Sequence, residues 1–186
     1  MNLAKLFEVQ KVLRDRIGYN EPDRFDKLVL ALLVEVGECA NEWRGFKFWS
    51  KQQTPKTYGK FKVAEDGETL IPDPENEHTK VLEEYVDGLH FVLELGIEKD
   101  FDQLDHYPYL HEMNIGVYTE TNTTEQFMGI YHFIHEFNVE QDLESYEELF
   151  LSYIGLGKHL GFTWDQIEQA YMDKNKVNHQ RQEEGY

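Results

Sequence analysis

The chain has 186 residues, enough for one sizeable core and at most a small appended element. A content of 40% hydrophobic and 14% aromatic residues excludes a disordered protein. The formal net charge of −18, from 36 acids against 18 bases, argues against nonspecific binding to nucleic acid or to an anionic membrane, but leaves room for a small anion brought in by a metal ion. The single cysteine, Cys39, has no intrachain disulfide partner and reads as a packed small residue. No apolar run reaches transmembrane length, and the opening MNLAKLFEVQ mixes charges with its apolar residues, unlike a signal peptide. A cytoplasmic location is the expectation.

In chain order, residues 2–17 predict an amphipathic helix. Leu3, Leu6, Phe7, Gln10, Leu13 and Ile17 follow helical spacing, with Gln10 placing an amide in the stripe. The break YNEPD (19–23) precedes a second helix over about 24–44. GFKFWSK is aromatic and basic. Residues 56–79 carry turn signals, and FKVAEDGETLI suits a short β-hairpin around Asp66-Gly67. A third helix covers about 79–96. Residues 97–122 give no clear organisation. Helices follow over about 124–137 and 143–160, and a last one begins at Thr163, where Thr163-x-x-Gln166 forms a capping box. Strand signals are sparse and no linker stands out, so the expectation is one all-α helical bundle over 1–186, with 56–79 as a loop or hairpin insertion.

Two of these helices carry acids where an apolar face should continue. The second holds Glu35-x-x-Glu38 and the third holds Glu84-x-x-Asp87. Residues three apart share a helix face. Leu28, Ala31, Leu32, Glu35, Glu38 and Glu42 follow one stripe, so the carboxylates extend a greasy face. Burying unpaired carboxylates is costly, and two facing pairs would repel. A hard divalent cation relieves both problems, and Mg²⁺ is the usual one where a ligand brings phosphates. A solvated acidic face is the plain alternative for either pair alone. Glu83 lies about a hundred degrees round the helix from Glu84 and is expected to face another surface.

The last helix carries Ile167, Tyr171, Lys174, Asn178 and Arg181 along one face. This stripe turns from apolar to cation, amide and cation, which suits phosphate oxygens. Basic residues also favour helix C-termini through the macrodipole, which is the structural alternative. Phe46, Phe48 and Trp49 suit either a stacking surface or the core. The Gln10 amide suits either a nucleobase edge or a neighbouring backbone group. His90 reads as a packed residue near the acids, and His132 and His135 as solvent-facing. Asp87-x-x-His90 is a weak match to di-iron bundles, because the first pair lacks a histidine.

Glu35-x-x-Glu38 followed by Glu84-x-x-Asp87 resembles the metal signature of the all-α nucleoside triphosphate pyrophosphatase superfamily. The stretches EVGECANEWRGFKFW, LEEYVDGLHF and YMDKNKVNHQRQEEGY resemble its dimeric dUTPase family, in bacterial and phage forms. The likeness covers roughly 1–55, 80–97 and 163–186; residues 56–79 are longer than that family usually has there. The resemblance implies hydrolysis of dUTP to dUMP and pyrophosphate, with dUDP as a second substrate. It implies two or more Mg²⁺ ions, or Mn²⁺, held by Glu35, Glu38, Glu84 and Asp87. Glu35 and Glu38 would be catalytic, with Glu38 orienting or deprotonating the attacking water. Lys174, Asn178, Arg181 and Tyr186 would bind phosphate, Gln10 and Trp49 the uracil. A homodimer is implied as well. The competing readings are a pyrophosphatase for another nucleotide such as dCTP, and an idle regulatory binding protein of the same fold. A regulatory protein partner has no support in the sequence.

Overall fold

The computed structural model describes residues 3–64, 68–102 and 119–185. Six helices and one strand pair occur among them, in the order α1 (Leu3–Ile17), α2 (Arg24–Trp43), β1 (Thr57–Val63), β2 (Leu70–Thr79), α3 (Lys80–Glu98), α4 (Thr123–Glu140), α5 (Leu143–His159) and α6 (Trp164–Glu184). The all-α class and the predicted helices are observed. Local chemistry sets their starts. Asn122 and Asp142 accept from the backbone N–H three residues on, and Thr163 and Gln166 close the capping box.

α3 is the central helix. From Gly88 to Ile97 every residue but Phe91 is buried, as expected of a helix walled in on all sides. It packs most extensively on α2 and also meets α1, α5 and α6; α4 pairs with α5 and touches α2. The α2 stripe Leu32, Val36 and Cys39 is fully buried in the shared core. The Cys39 thiol donates toward the Val81 carbonyl at 3.8 Å, tying α2 to the start of α3. Burial pushes the pKa of this thiol well up, so it behaves as a core residue.

Two glycines let α5 lie close against α3. A Cβ on Gly88 would come within 2.1 Å of the Tyr153 hydroxyl, and one on Gly96 within 2.2 Å of the Tyr146 hydroxyl. These hydroxyls donate to the Tyr85 carbonyl at 2.8 Å and the Val92 carbonyl at 3.1 Å. The buried phenols are thereby satisfied by helix carbonyls. Gly96→Ala is expected to cost about 1–3 kcal/mol through overpacking. Urea unfolding of the variant measures this, and an unshifted midpoint would show that Tyr146 yields freely.

β1 and β2 pair antiparallel from Thr57↔Thr79 to Val63↔Leu70, with an irregularity between Tyr58 and Lys60. The ribbon is longer than the predicted hairpin. Pro72 and Pro74 fit within β2 because, in this two-stranded sheet, each strand has an unpaired edge. The predicted turn residues Asp66-Gly67 lie outside the described residues, as do 103–118. No helix among the described residues is long and apolar enough to cross a membrane.

Candidate functional site

The tight α2–α3 packing brings the two acidic pairs together. Oxygens of Glu35, Glu38 and Glu84 all lie within 4.8 Å of one another. The sequence suggests buried acids, but Glu38 is exposed and Glu35, Glu84 and Asp87 are only half-buried. The acids lie where the apolar stripe gives out, so water reaches them. Asp87 stands apart from the trio in one respect. It accepts from Lys174 Nζ on α6 at 2.6 Å. Glu83 takes the same ammonium at 3.0 Å, so it faces α6 rather than an unrelated surface.

Crowding like charges in a partly dry place shifts their titration. Glu35 is pushed up to about 7, first by burial and then by Asp87, Glu38 and Glu84, with Lys174 opposing. Glu84 is raised by burial, then by Asp87 and Glu38. Burial also raises Asp87, against the pull of the Lys174 hydrogen bond.

Beside the acids lies a cavity of about 480 Å³ between α1, α2, α3 and α6. Its lining includes Glu35, Asp87, Lys174, Asn178 and Arg181, with apolar walls from Leu13, Ile17, Leu28, Ala31 and Phe91. α6 therefore delivers its cation–amide–cation stripe to the rim that α2 and α3 supply with acids. Near the far end of α6, Arg16 of α1 bonds His179 at 3.2 Å and Glu183 at 2.8 Å. Gly185 caps that end in the left-handed conformation. Tyr186 lies outside the described residues.

The cavity lining also includes Gln10, His90 and Glu94, part of a polar network that the sequence reading missed. Glu94, 4% exposed, accepts from Arg14 at 2.9 Å, from Gln10 Nε2 at 2.8 Å, and from Arg24. Arg14 also reaches Glu98 at 2.5 Å. The Gln10 carbonyl oxygen accepts from the Tyr171 hydroxyl at 2.7 Å and pairs with His90 Nδ1 at 2.8 Å. Gln10 thus bonds side chains, not the backbone. A signal existed: Glu83, Asp87, His90, Glu94 and Glu98 recur at three or four along α3.

His90 stacks on Tyr171 at a ring-centroid distance of 3.9 Å. Burial, then the Lys174 charge, depress its pKa to about 3. The ring is therefore neutral, and with the Gln10 carbonyl as acceptor its proton is assigned to Nδ1. Between pH 6.5 and 3 the unfolded chain binds a proton that the native protein refuses, so His90 costs stability as pH falls below 6.5. Between pH 7 and 5.5 wild type should lose about 1.2 kcal/mol more than His90→Asn. Urea unfolding of both proteins at both pH values tests this. The difference separates His90 from Glu35, whose raised pKa gives stability that is lost as pH climbs from 4.5 through 7. Equal losses would show that His90 titrates normally.

The aromatic segment lies at the surface rather than in the core. Trp49 is 66% exposed and Phe48 84%, so they are not core. Phe46 and Phe48 each meet Trp49 edge-to-face at 5.7 and 5.1 Å. None of the three lines the cavity. His132 and His135 are exposed, as expected.

The dUTPase family model matches residues 2–62 and 72–186. No curated protein matches the chain.

Proposed function

Since this chain belongs to the dUTPase family, the enzymes with dUTP diphosphatase activity, we propose that its cavity binds dUTP and that the acid cluster beside it supports Mg²⁺-dependent hydrolysis to dUMP and pyrophosphate. The convergence of three carboxylates within 4.8 Å carries this reading. The donor set fits a hard divalent cation: all oxygen, several charges, accessible to water, and short of a counter-ion. The raised Glu35 pKa expresses that shortage, and Lys174 spends its charge on Asp87 and Glu83.

Glu35, Glu38, Glu84 and Asp87 would hold two or more Mg²⁺ ions, with Mn²⁺ as a substitute. Bound metal supplies Lewis acidity toward phosphate oxygens and lowers the pKa of a water. The chain's own groups do the rest. Glu38, the exposed member of the trio, orients the water and takes its proton. Lys174 and Arg181 neutralise and hold the phosphate chain from the α6 side, with Asn178 and Tyr186 completing that cradle. The apolar walls from Leu13 to Phe91 receive the base and deoxyribose and exclude water. Gln10 meets the uracil with its second amide hydrogen, because its carbonyl already accepts two bonds.

Trp49 reaches a uracil only from outside this chain's own cavity. A homodimer offers such a route, and an apolar surface supports one. Leu30 and Val34 on α2 and Met128 and Tyr131 on α4 are exposed, and the Tyr131 hydroxyl donates to the Leu33 carbonyl at 3.3 Å. The whole chain acts as one domain with 56–79 as an insertion, and its nucleotide substrate suits a cytoplasmic enzyme.

The test is pyrophosphate release with Mg²⁺ across dUTP, dCTP, dTTP, dATP and dGTP, with orthophosphate release as the readout for dUDP. Selective dUTP turnover that stops in chelator is expected. Preference for dCTP would keep the metal site and remove the uracil contacts. No turnover of any nucleotide would leave a binding protein.

A further inference from the structure

Glu83 has no part in the reading above, yet its position gives it one. Glu83 and Asp87 lie one turn apart on α3 and share the Lys174 ammonium at 3.0 and 2.6 Å. The Lys174 side chain is 14% exposed and Asp87 16%, whereas Glu83 is 51% exposed. Asp87 thus forms the shielded end of the bridge and Glu83 the open end.

Two demands then meet at Asp87. Its carboxylate is wanted by a divalent cation, while Lys174 is wanted by phosphate. A carboxylate drawn to a metal accepts less well from an ammonium. Lysine is a strongly hydrated charge on a flexible stem, so a released Lys174 has bulk water as its alternative. Glu83 is not among the four acids that would hold the metal, so it keeps its hold on Lys174.

We propose that Glu83 is a positioning residue that keeps Lys174 over the cavity rim when Asp87 turns to the metal, so that the ammonium meets the incoming phosphates. The proposal rests on the nucleotide reading of the cavity. A half-exposed ion pair adds little to folding, so the effect belongs to ligand binding.

The sign of the effect makes it testable. Removing a negative charge beside a polyanion should, by relief of Coulomb repulsion alone, tighten binding. Glu83→Gln is expected to do the opposite. The KM for dUTP should rise roughly tenfold, the low end of what partners of a site's ligands contribute, with kcat within about twofold and melting temperature unchanged. Calorimetric titration with a non-hydrolysable imido analogue of dUTP and Mg²⁺ should show the same weakening without turnover. In a Lys174→Met background Glu83→Gln should weaken analogue binding no further. Unchanged or tighter binding by Glu83→Gln in an active protein would overturn the proposal. So would equal weakening with and without Lys174. A wild-type protein that turns over no dUTP would instead sink the nucleotide reading, and the role of Glu83 with it.

Discussion

Glu38→Gln is expected to lower kcat for dUTP by on the order of 10²–10⁴-fold, the range that positioned acid–base groups contribute. The exchange keeps the shape of the side chain and removes its charge. Glu38 is exposed, so the core loses nothing. The acid trio, in contrast, loses one of its three charged oxygen donors. Its charge helps to raise the pKa of both Glu35 and Glu84 in the metal-free protein. The variant should therefore melt at the same temperature as wild type or slightly higher, while turning over far more slowly. Steady-state kinetics with Mg²⁺ and thermal unfolding in chelator measure the two effects. A kcat within tenfold of wild type would remove Glu38 from the reaction and pass the water-orienting role to Glu35. A lowered melting temperature would mean that Glu38 serves the fold.

The largest expected effect on stability lies at Glu94. Arg14, Arg24 and Gln10 all donate to this one carboxylate, and Arg24 is itself only 8% exposed. Glu94→Ala leaves buried guanidinium charge without its partner. Removing one member of a buried ion pair typically costs about 3–5 kcal/mol. Glu98 still holds Arg14 at 2.5 Å and approaches Arg24 at 3.5 Å, which places the expectation toward the lower end. Urea unfolding at neutral pH gives the number. A loss below about 1 kcal/mol, the size of a surface pair, would mean that the two arginines turn to solvent or to Glu98 at no cost. Glu94 also fixes Gln10, so nucleotide selectivity should loosen in whatever fraction of the variant stays folded.

These two residues differ in how visible they are from the chain alone. Glu38 stands out because an acid at helical spacing interrupts an apolar stripe, and the same break recurs at Glu84 and Asp87. Glu94 sits in an apolar run as well, but its partners lie 70 to 84 positions away on α1 and α2. No local pattern links Arg14, Arg24 and Gln10 to it. Glu83 shows the same limit. Its angle on the helix correctly separates it from Glu84, yet only the approach of α6 turns that separate face into a second hold on Lys174.

The six helices and the capping box at Thr163 were readable because they depend on spacing within a few residues. The grouping of acids on α2 and α3 was readable for the same reason, as was the basic stripe on α6. Helix packing decided the remainder. Gly88 and Gly96 draw α5 onto α3, and Cys39 ties α2 to Val81. The docking of α1 and α6 around α3 makes the cavity, gives Gln10 three side-chain partners, and leaves Trp49 outside in the solvent. A helix face is a property of one segment's periodicity, whereas the partner it meets depends on which other faces the whole chain must bury at once.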